Sequence, residues 1–477
     1  MMKILFAAAE IAPLTKVGGL ADVVRSLPEE LIKLGHQVRV IVPKYGFVDY
    51  STYETEPVVC DLTVFSLMEY RKVTLEQIVL NGVPVYLLSS DIFSKCDAVY
   101  GSDEVERFWV FCDCVSQSLP YLGWTPEIVH CHDWHTALIP LLLRSGHFDC
   151  RTVFTIHNMK YQGYFDDHTL QRSGIGQYWH GHIAGLTGLP WNLIVQGILW
   201  SHVINAVSEN FAREILTAEY GCGMQAFIDF RKSSLFGIIN GVGYDEFDPV
   251  NDRLIAANFN AADLAGKAVN RNKLHVMAGW KVRSEAPLVG MVSRLDEQKG
   301  MDIIINALPE VIKSTGAQFI FLGRGKEYYE EALLQLEAKY PDNIRAYITY
   351  DNAKAHLIYA GSDLFLMPSL WEPCGLGQMI AMHYGTLPVV RNTGGLADTV
   401  RNLSSDLKQG TGFVFSEYSA KALTFALKKA AEAFANKAAW QRAVKRVMEL
   451  DFSWQEPARR YQSLYTKALE MNDNGPL

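Results

Sequence analysis

The chain has 477 residues, 49% hydrophobic and only 20% charged, with 52 acidic against 44 basic side chains and a formal net charge of -8. That composition excludes a disordered chain, and the lack of any dense Lys/Arg block excludes a surface that tracks nucleic acid. No apolar run approaches the roughly 20 residues of a membrane span, and the apolar opening meets Glu10 and Pro13 too soon for a secretory leader, so a cytoplasmic protein with no membrane partner is expected.

At this length two domains are expected rather than one core. Residues 3–9 read as a buried strand, a loop follows to Gly19, and Leu20, Val23, Val24, Leu27, Leu31 and Leu34 fall at helical spacing before a second strand at 38–42. Short apolar runs at 128–132, 153–156, 203–207 and 237–239, separated by crossover-length segments, predict an α/β domain with a mostly parallel sheet over residues 1–250. Residues 251–285 are rich in Ala, Asn, Asp and Lys; a fresh series of strands at 287–292, 318–322, 345–349, 364–367, 387–390 and 412–415 predicts a second α/β domain over 286–450. The pentamer Gly-Gly-Leu-Ala-Asp occurs at 18–22 and again at 394–398, each time where a loop enters a helix, which is weak support for two similarly built halves. The remaining segment, 451–477, carries Tyr461, Leu464, Tyr465 and Leu469 on one helical face and is expected to pack back on the first domain. The eight cysteines include Cys112 and Cys114 but no CxxC, and read as reduced thiols.

Chemistry concentrates at the strand ends. Lys16-Val17-Gly18-Gly19-Leu20 lies between a strand and a helix, where paired glycines let backbone N–H groups approach a phosphate and Lys16 adds a full charge; a tight turn alone would also use them. Gly221-Cys222-Gly223-Met224-Gln225-Ala226 fits a loose GxGxxA pattern, but the residues before it read as helix, so a dinucleotide site is rejected. In the second half Arg294 and Lys299 follow a strand, either as a clamp for a diphosphate or as surface charges. Glu372-Pro373-Cys374-Gly375-Leu376 follows another strand; its carboxylate either favours the next helix dipole or accepts hydrogen bonds from a sugar. His130, His132, Asp133 and His135 crowd one strand end, and His157 and Asn158 the next. A metal site is the tempting reading, but no carboxylate pair or CxxC completes a ligand set, so hydrogen bonding in the core is favoured for His130 and His132, with Asp133 and His157 turned to a ligand. Tyr161, Tyr164, Phe165, Tyr178, Trp179, Trp191 and Trp200 lack regular spacing; such rings either stack on sugars or fill a core.

Taken in order, residues 16–22, 130–135, 155–163, 240–242, 293–300, 372–376 and 393–399 resemble the motif series of bacterial glycogen synthases and plant starch synthases, and the likeness extends to 451–454. The resemblance implies a GT-B fold, with two Rossmann-like doubly wound domains facing a deep cleft, and retaining transfer of glucose from ADP-glucose to an α-glucan such as glycogen or a maltooligosaccharide, with no metal or other cofactor. It further implies that Lys16, Gly18, Gly19, Arg294 and Lys299 hold the diphosphate, Tyr350 stacks on adenine, and Glu372 binds glucose hydroxyls with backbone groups around Cys374, Gly375 and Leu376. His157, Asn158 and Asn240 are placed about the sugar and Asp133 on the acceptor side. No carboxylate pair of the retaining-hydrolase kind is evident. The resemblance implies instead front-side attack, with Arg294 and Lys299 steadying the departing charge. Val17, Gly243 and Gly377 depart from residues common in the family. A UDP-glucose-dependent enzyme of the same fold and a catalytically silent glucan-binding protein are the alternatives; a nicotinamide oxidoreductase lacks its glycine motif.

Overall fold

The computed structural model describes residues 1–101, 103–175 and 191–471. They form two compact units, Met1–Gly241 together with the segment from Trp454 onward, and Val242–Ser453.

The first unit is built on β1 (Lys3–Ala7), β2 (Gln37–Pro43), β3 (Glu56–Ser66), β4 (Glu69–Leu80), β5 (Val83–Ser89), β6 (Ile128–His132), β7 (Arg151–Ile156), β8 (Val203–Ala206) and β9 (Leu235–Gly237). Their spatial order is β3-β4-β5-β2-β1-β6-β7-β8-β9. From β5 to β9 every neighbour is parallel, as buried apolar runs joined by long crossovers require. The edge strands were not read from the sequence: β3, β4 and β5 pair antiparallel, and β3 carries two register irregularities, on a sheet that is otherwise parallel as expected. The expected run at 237–239 also moves, since β9 is Leu235–Gly237 and the Ile238 amide donates to the Ala206 carbonyl.

On one sheet face lies the helix Gly19–Lys33, which buries Leu20, Val23, Val24, Leu27 and Leu31; Leu34 is its exposed C-cap rather than a core position. Beside it packs the helix Gln455–Glu470, in one core with Ile4, Phe6, Val38, Val40, Val85 and Val153 through Trp454, Tyr461, Leu464, Tyr465 and Ala468. Leu469, expected on that face, is exposed. Two buried hydroxyls add polar pins: Tyr465 bonds His130 Nδ1 at 2.9 Å, and Asn205 donates to Tyr461 at 2.9 Å. Each fully buried large side chain contributes about 1.5–3 kcal/mol.

The second unit starts earlier than residue 286. Residues 265–278, within the Ala-, Asn-, Asp- and Lys-rich stretch left outside both expected domains, form a helix whose Asn270, Leu274 and His275 are buried; Lys267 reaches the carbonyls of Ala360 and Tyr384 at 3.0 and 2.8 Å. Its sheet is entirely parallel: β10 (Leu288–Val292), β11 (Gln318–Leu322), β12 (Ile344–Tyr347), β13 (Leu364–Met367), β14 (Leu387–Arg391) and β15 (Phe413–Phe415). The order β12-β11-β10-β13-β14-β15 reverses direction between β10 and β13, the doubly wound pattern in which ligands lie at the carboxyl ends of the strands on either side of the reversal. In the first unit the same reversal falls between β1 and β6.

Candidate active site

In the first unit the chain leaves β1, loops through Glu10 and enters a helix at Gly19 whose N-cap, Gly18, offers no side chain. Glu10 is buried; its Oε2 accepts the Val17 amide at 2.6 Å and the Gly18 amide at 3.1 Å, while Tyr100 donates to Oε1. Burial raises this carboxyl above its ordinary value, and the three hydrogen bonds oppose the rise. Two of the amides expected to meet a phosphate are therefore turned inward, which corrects part of the sequence reading of Gly18. Lys16 and Gly18 remain on the open side: Lys16 is half exposed and pairs with Asp22 at 2.7 Å, and nothing lies within 4 Å of a Cβ built on Gly18. Gly19 contributes the first residue of the helix.

Asp133 follows β6 at φ 55, a left-handed conformation that is unusual outside glycine. Its Oδ1 accepts the amides of His157 at 2.7 Å and Asn158 at 3.4 Å, so the ends of β6 and β7 are tied through one carboxylate. Burial pushes Asp133 up to about 7. His157 bonds His132 across 3.0 Å, and His130 reaches Thr155 Oγ1 at 2.7 Å. Burial drives His157 and His135 down to about 3, and His130 and His132 also downward, which favours the neutral form for each of these imidazoles. Among the described residues no three His, Cys, Asp or Glu side chains are arranged to hold a metal ion. Asn240, after β9, is buried with its Oδ1 lacking a hydrogen-bond partner among the described residues.

The aromatic segment divides. Phe165 stacks near Trp191 and meets Trp109 edge-on, and Trp200 donates to Gln196, so these rings are packed, whereas Tyr161 and Tyr164 are exposed. Tyr178 and Trp179 lie outside the described residues.

In the second unit the two loops at the reversal carry the charges. After β10, Asp296 caps the short turn at Lys299, and Arg294 reaches Asp296 at 3.1 Å and Gln298 at 2.9 Å. After β13, Glu372 is buried and its Oε2 accepts from Lys299 Nζ at 2.6 Å and from Ser369 Oγ at 2.9 Å. Arg391 braces this loop by donating to the Leu370 carbonyl at 2.6 Å. Gly375 sits at φ 72, Cys374 is buried, and Leu376 begins the helix Gly377–His383 with no side-chain cap. The repeated pentamer acquires a physical reason here, because a Cβ on Gly394 would lie 1.9 Å from the Glu372 carbonyl and one on Gly395 2.1 Å from that of Cys374. Tyr350 stands 77% exposed beyond β12, with an open ring face.

Four residues of these clusters escaped sequence reasoning. Glu10 was visible only as a charge interrupting an apolar opening, and Ser369, Gln298 and Tyr100 have no motif that marks them; only the folded contacts reveal them.

Acidic and cationic side chains gathered at the reversal of two doubly wound sheets suit a transferase that handles a charged leaving group, and the family relationships agree. The model of the starch synthase catalytic domain matches residues 3–230, and that of glycosyl transferases group 1 matches residues 275–446. The fold is GT-B, and the class is glycosyltransferase. Glycogen synthase from Geotalea daltonii is 42% identical, covering 98% of this chain and 99% of its own. Glycogen synthase from Gloeobacter violaceus is 41% identical over 97% of this chain and 98% of its own. The catalytic domain of starch synthase IV from Arabidopsis thaliana, bound to ADP and acarbose, superposes with TM-score 0.90 at 32% identity, covering 98% and 100%. The chain belongs to the glycogen synthase and starch synthase family of glucosyltransferases.

Proposed function

We propose that the protein is a glycogen synthase that transfers glucose, with retention of configuration, from ADP-glucose to the non-reducing end of an α-1,4-glucan. The observation that carries the reading is the pair of half-buried Lys299 with buried Glu372, beside Arg294 at the sheet reversal, which sets a sugar-hydroxyl acceptor next to two cations suited to a diphosphate. The ADP bound by the Arabidopsis relative supports the choice of nucleotide.

In this proposal Arg294 and Lys299, with Lys16 and the turn at Gly18 and Gly19, receive the diphosphate and stabilise its charge as the bond to C1 breaks. Glu372 accepts glucose hydroxyl hydrogen bonds, joined by backbone groups at Cys374, Gly375 and Leu376; the absence of a side-chain cap at Leu376 suits that role. His157, Asn158 and Asn240 contact the sugar, Asp133 shapes the acceptor side, and Tyr350 stacks on adenine. The acceptor hydroxyl attacks C1 from the face the diphosphate leaves. Its proton passes to the departing phosphate oxygen, so the new C–O bond forms as the old one breaks and no protein carboxylate becomes glycosylated. The cations named here do the neutralising work that a metal does in other transferases, and no cofactor enters the scheme.

Release of ADP from ADP-glucose, with and without glycogen, tests the reading. Glycogen-dependent release with little from UDP-glucose is expected. Preference for UDP-glucose overturns the donor, and no release from either sugar nucleotide overturns the function.

A further inference from the structure

The Lys16–Leu20 turn is held by a group outside it. Glu10 lies seven residues before Val17, buried, and placed so that one oxygen receives two successive amides of the turn, at 2.6 and 3.1 Å, while the other receives the Tyr100 hydroxyl. Tyr100 is itself wedged against Phe108 and His135, with ring centroids at 6.2 and 5.2 Å, so the carboxylate is fixed from below by packed aromatic side chains. The Ala9 carbonyl next to Glu10 is held in turn by the Tyr45 hydroxyl at 2.9 Å. With Val17 and Gly18 amides drawn inward, the polar groups the turn leaves outward are Lys16 and the start of the uncapped helix at Gly19, beside the open face above Gly18 and the exposed Val17 side chain.

We propose that Glu10, seated by Tyr100, is a positioning residue for donor binding: its carboxylate sets the conformation in which the Lys16–Gly19 turn accepts the anionic group of the sugar nucleotide. This rests on the functional reading above. An ionised carboxylate accepts two amides and a hydroxyl at once, whereas a protonated one gives up an acceptor site and holds the turn less firmly. The charged or titratable groups around it are Tyr100, Tyr45, Asp22, Lys16 and Asp133, and the Tyr100 hydrogen bond favours the ionised form. Donor binding therefore weakens toward acid as Glu10 protonates, and removal of the Tyr100 hydroxyl moves that loss to higher pH.

The test measures KM for ADP-glucose and for glycogen, and the pH profile of kcat/KM for the donor, in wild type, Glu10→Gln, Glu10→Ala and Tyr100→Phe, with thermal melting as the folding control. Glu10→Ala is expected to raise the donor KM at least about tenfold, the scale of losing hydrogen bonds to a charged group, and to leave the glycogen KM unchanged. Glu10→Gln, which like the protonated acid keeps one carbonyl acceptor without the charge, is expected to fall between wild type and Glu10→Ala in donor KM and to lose the acid limb, and Tyr100→Phe to shift that limb upward. Equal changes in both KM values, or an acid limb that Tyr100→Phe leaves in place, overturns the proposal. Wild-type turnover decides the functional reading separately; if ADP-glucose is not turned over, the same variants are compared for affinity toward ADP, and unchanged affinity in Glu10→Ala rejects the positioning role.

Discussion

Lys299 is both a candidate for charge stabilisation and the partner of a buried carboxylate, and these two roles separate in its variants. Lys299→Ala strands Glu372, whose side chain is 8% exposed, and is expected to cost on the order of 3 kcal/mol in stability as well as at least about a hundredfold in kcat. Arg294→Ala, at a side chain 46% exposed and paired with Asp296, is expected to lose comparable turnover with unfolding midpoints near wild type. Urea titration beside ADP-release kinetics distinguishes them; similar destabilisation by both substitutions contradicts the assignment. Asp113 offers a pH test remote from these loops. It is buried with Ser66 donating at 2.6 Å, and burial raises it to about 7. A carboxyl bound to its proton more tightly folded than unfolded leaves stability untouched below about pH 4 and lowers it from there to about pH 7, by up to about 1.4 kcal/mol per pH unit. Asp113→Asn, which keeps an acceptor for Ser66, is expected to flatten that slope in denaturation curves taken at pH 5, 6 and 7. At this scale charged residues at strand ends are legible in the sequence because their neighbours form recognisable motifs. Their partners are not: Lys299 and Glu372 are separated by 73 positions, and only the sheet order brings them together.

Among elements, buried parallel strands were the readable ones, since a strand covered on both faces is a continuous apolar run. The hairpin of β3 and β4 was not, because its exposed charges and register irregularities break the period of two. Nor was the helix Ala265–Ala278, whose Ala, Asn and Lys content resembles a linker although Asn270 bonds backbone groups at Ala256 and Ala257. The two copies of the pentamer make a paired prediction. Gly18→Ala meets open space and is expected to fold within about 0.5 kcal/mol of wild type while raising the donor KM, because the added methyl occupies the open face of the turn. Gly394→Ala must displace the Glu372 carbonyl and is expected to lower both stability and turnover. In the closing helix, Leu464→Ala is expected to cost about 2–5 kcal/mol by opening a cavity in the first unit's core, read by urea denaturation.

For the whole molecule, two doubly wound sheets put the candidate residues at the carboxyl ends of β1, β6, β7 and β9 in one unit and of β10, β12 and β13 in the other. Lys16, Asp133 and His157, and separately Arg294, Lys299 and Glu372, thus occupy the positions where such sheets bind ligands. With cations supplied by the chain, dialysis against EDTA is expected to leave glycogen-dependent ADP release unchanged; a loss restored by a divalent ion would assign the charge stabilisation to a metal instead. The expectation that residues 451–477 return to the first half was read from one apolar face; Trp454 and the helix Gln455–Glu470 pack in the first unit's core, whereas 451–453 belong to the second unit and 472–477 lie outside the described residues. This closing helix also orders events during synthesis. The first unit leaves the ribosome lacking one wall of its core, and the missing wall emerges only after the second unit has been translated, roughly 10–50 s later at 5–20 residues per second. Throughout that interval the Val, Ile and Phe side chains that the closing helix covers lack that cover, and a chain cut short before Trp454 never gains it.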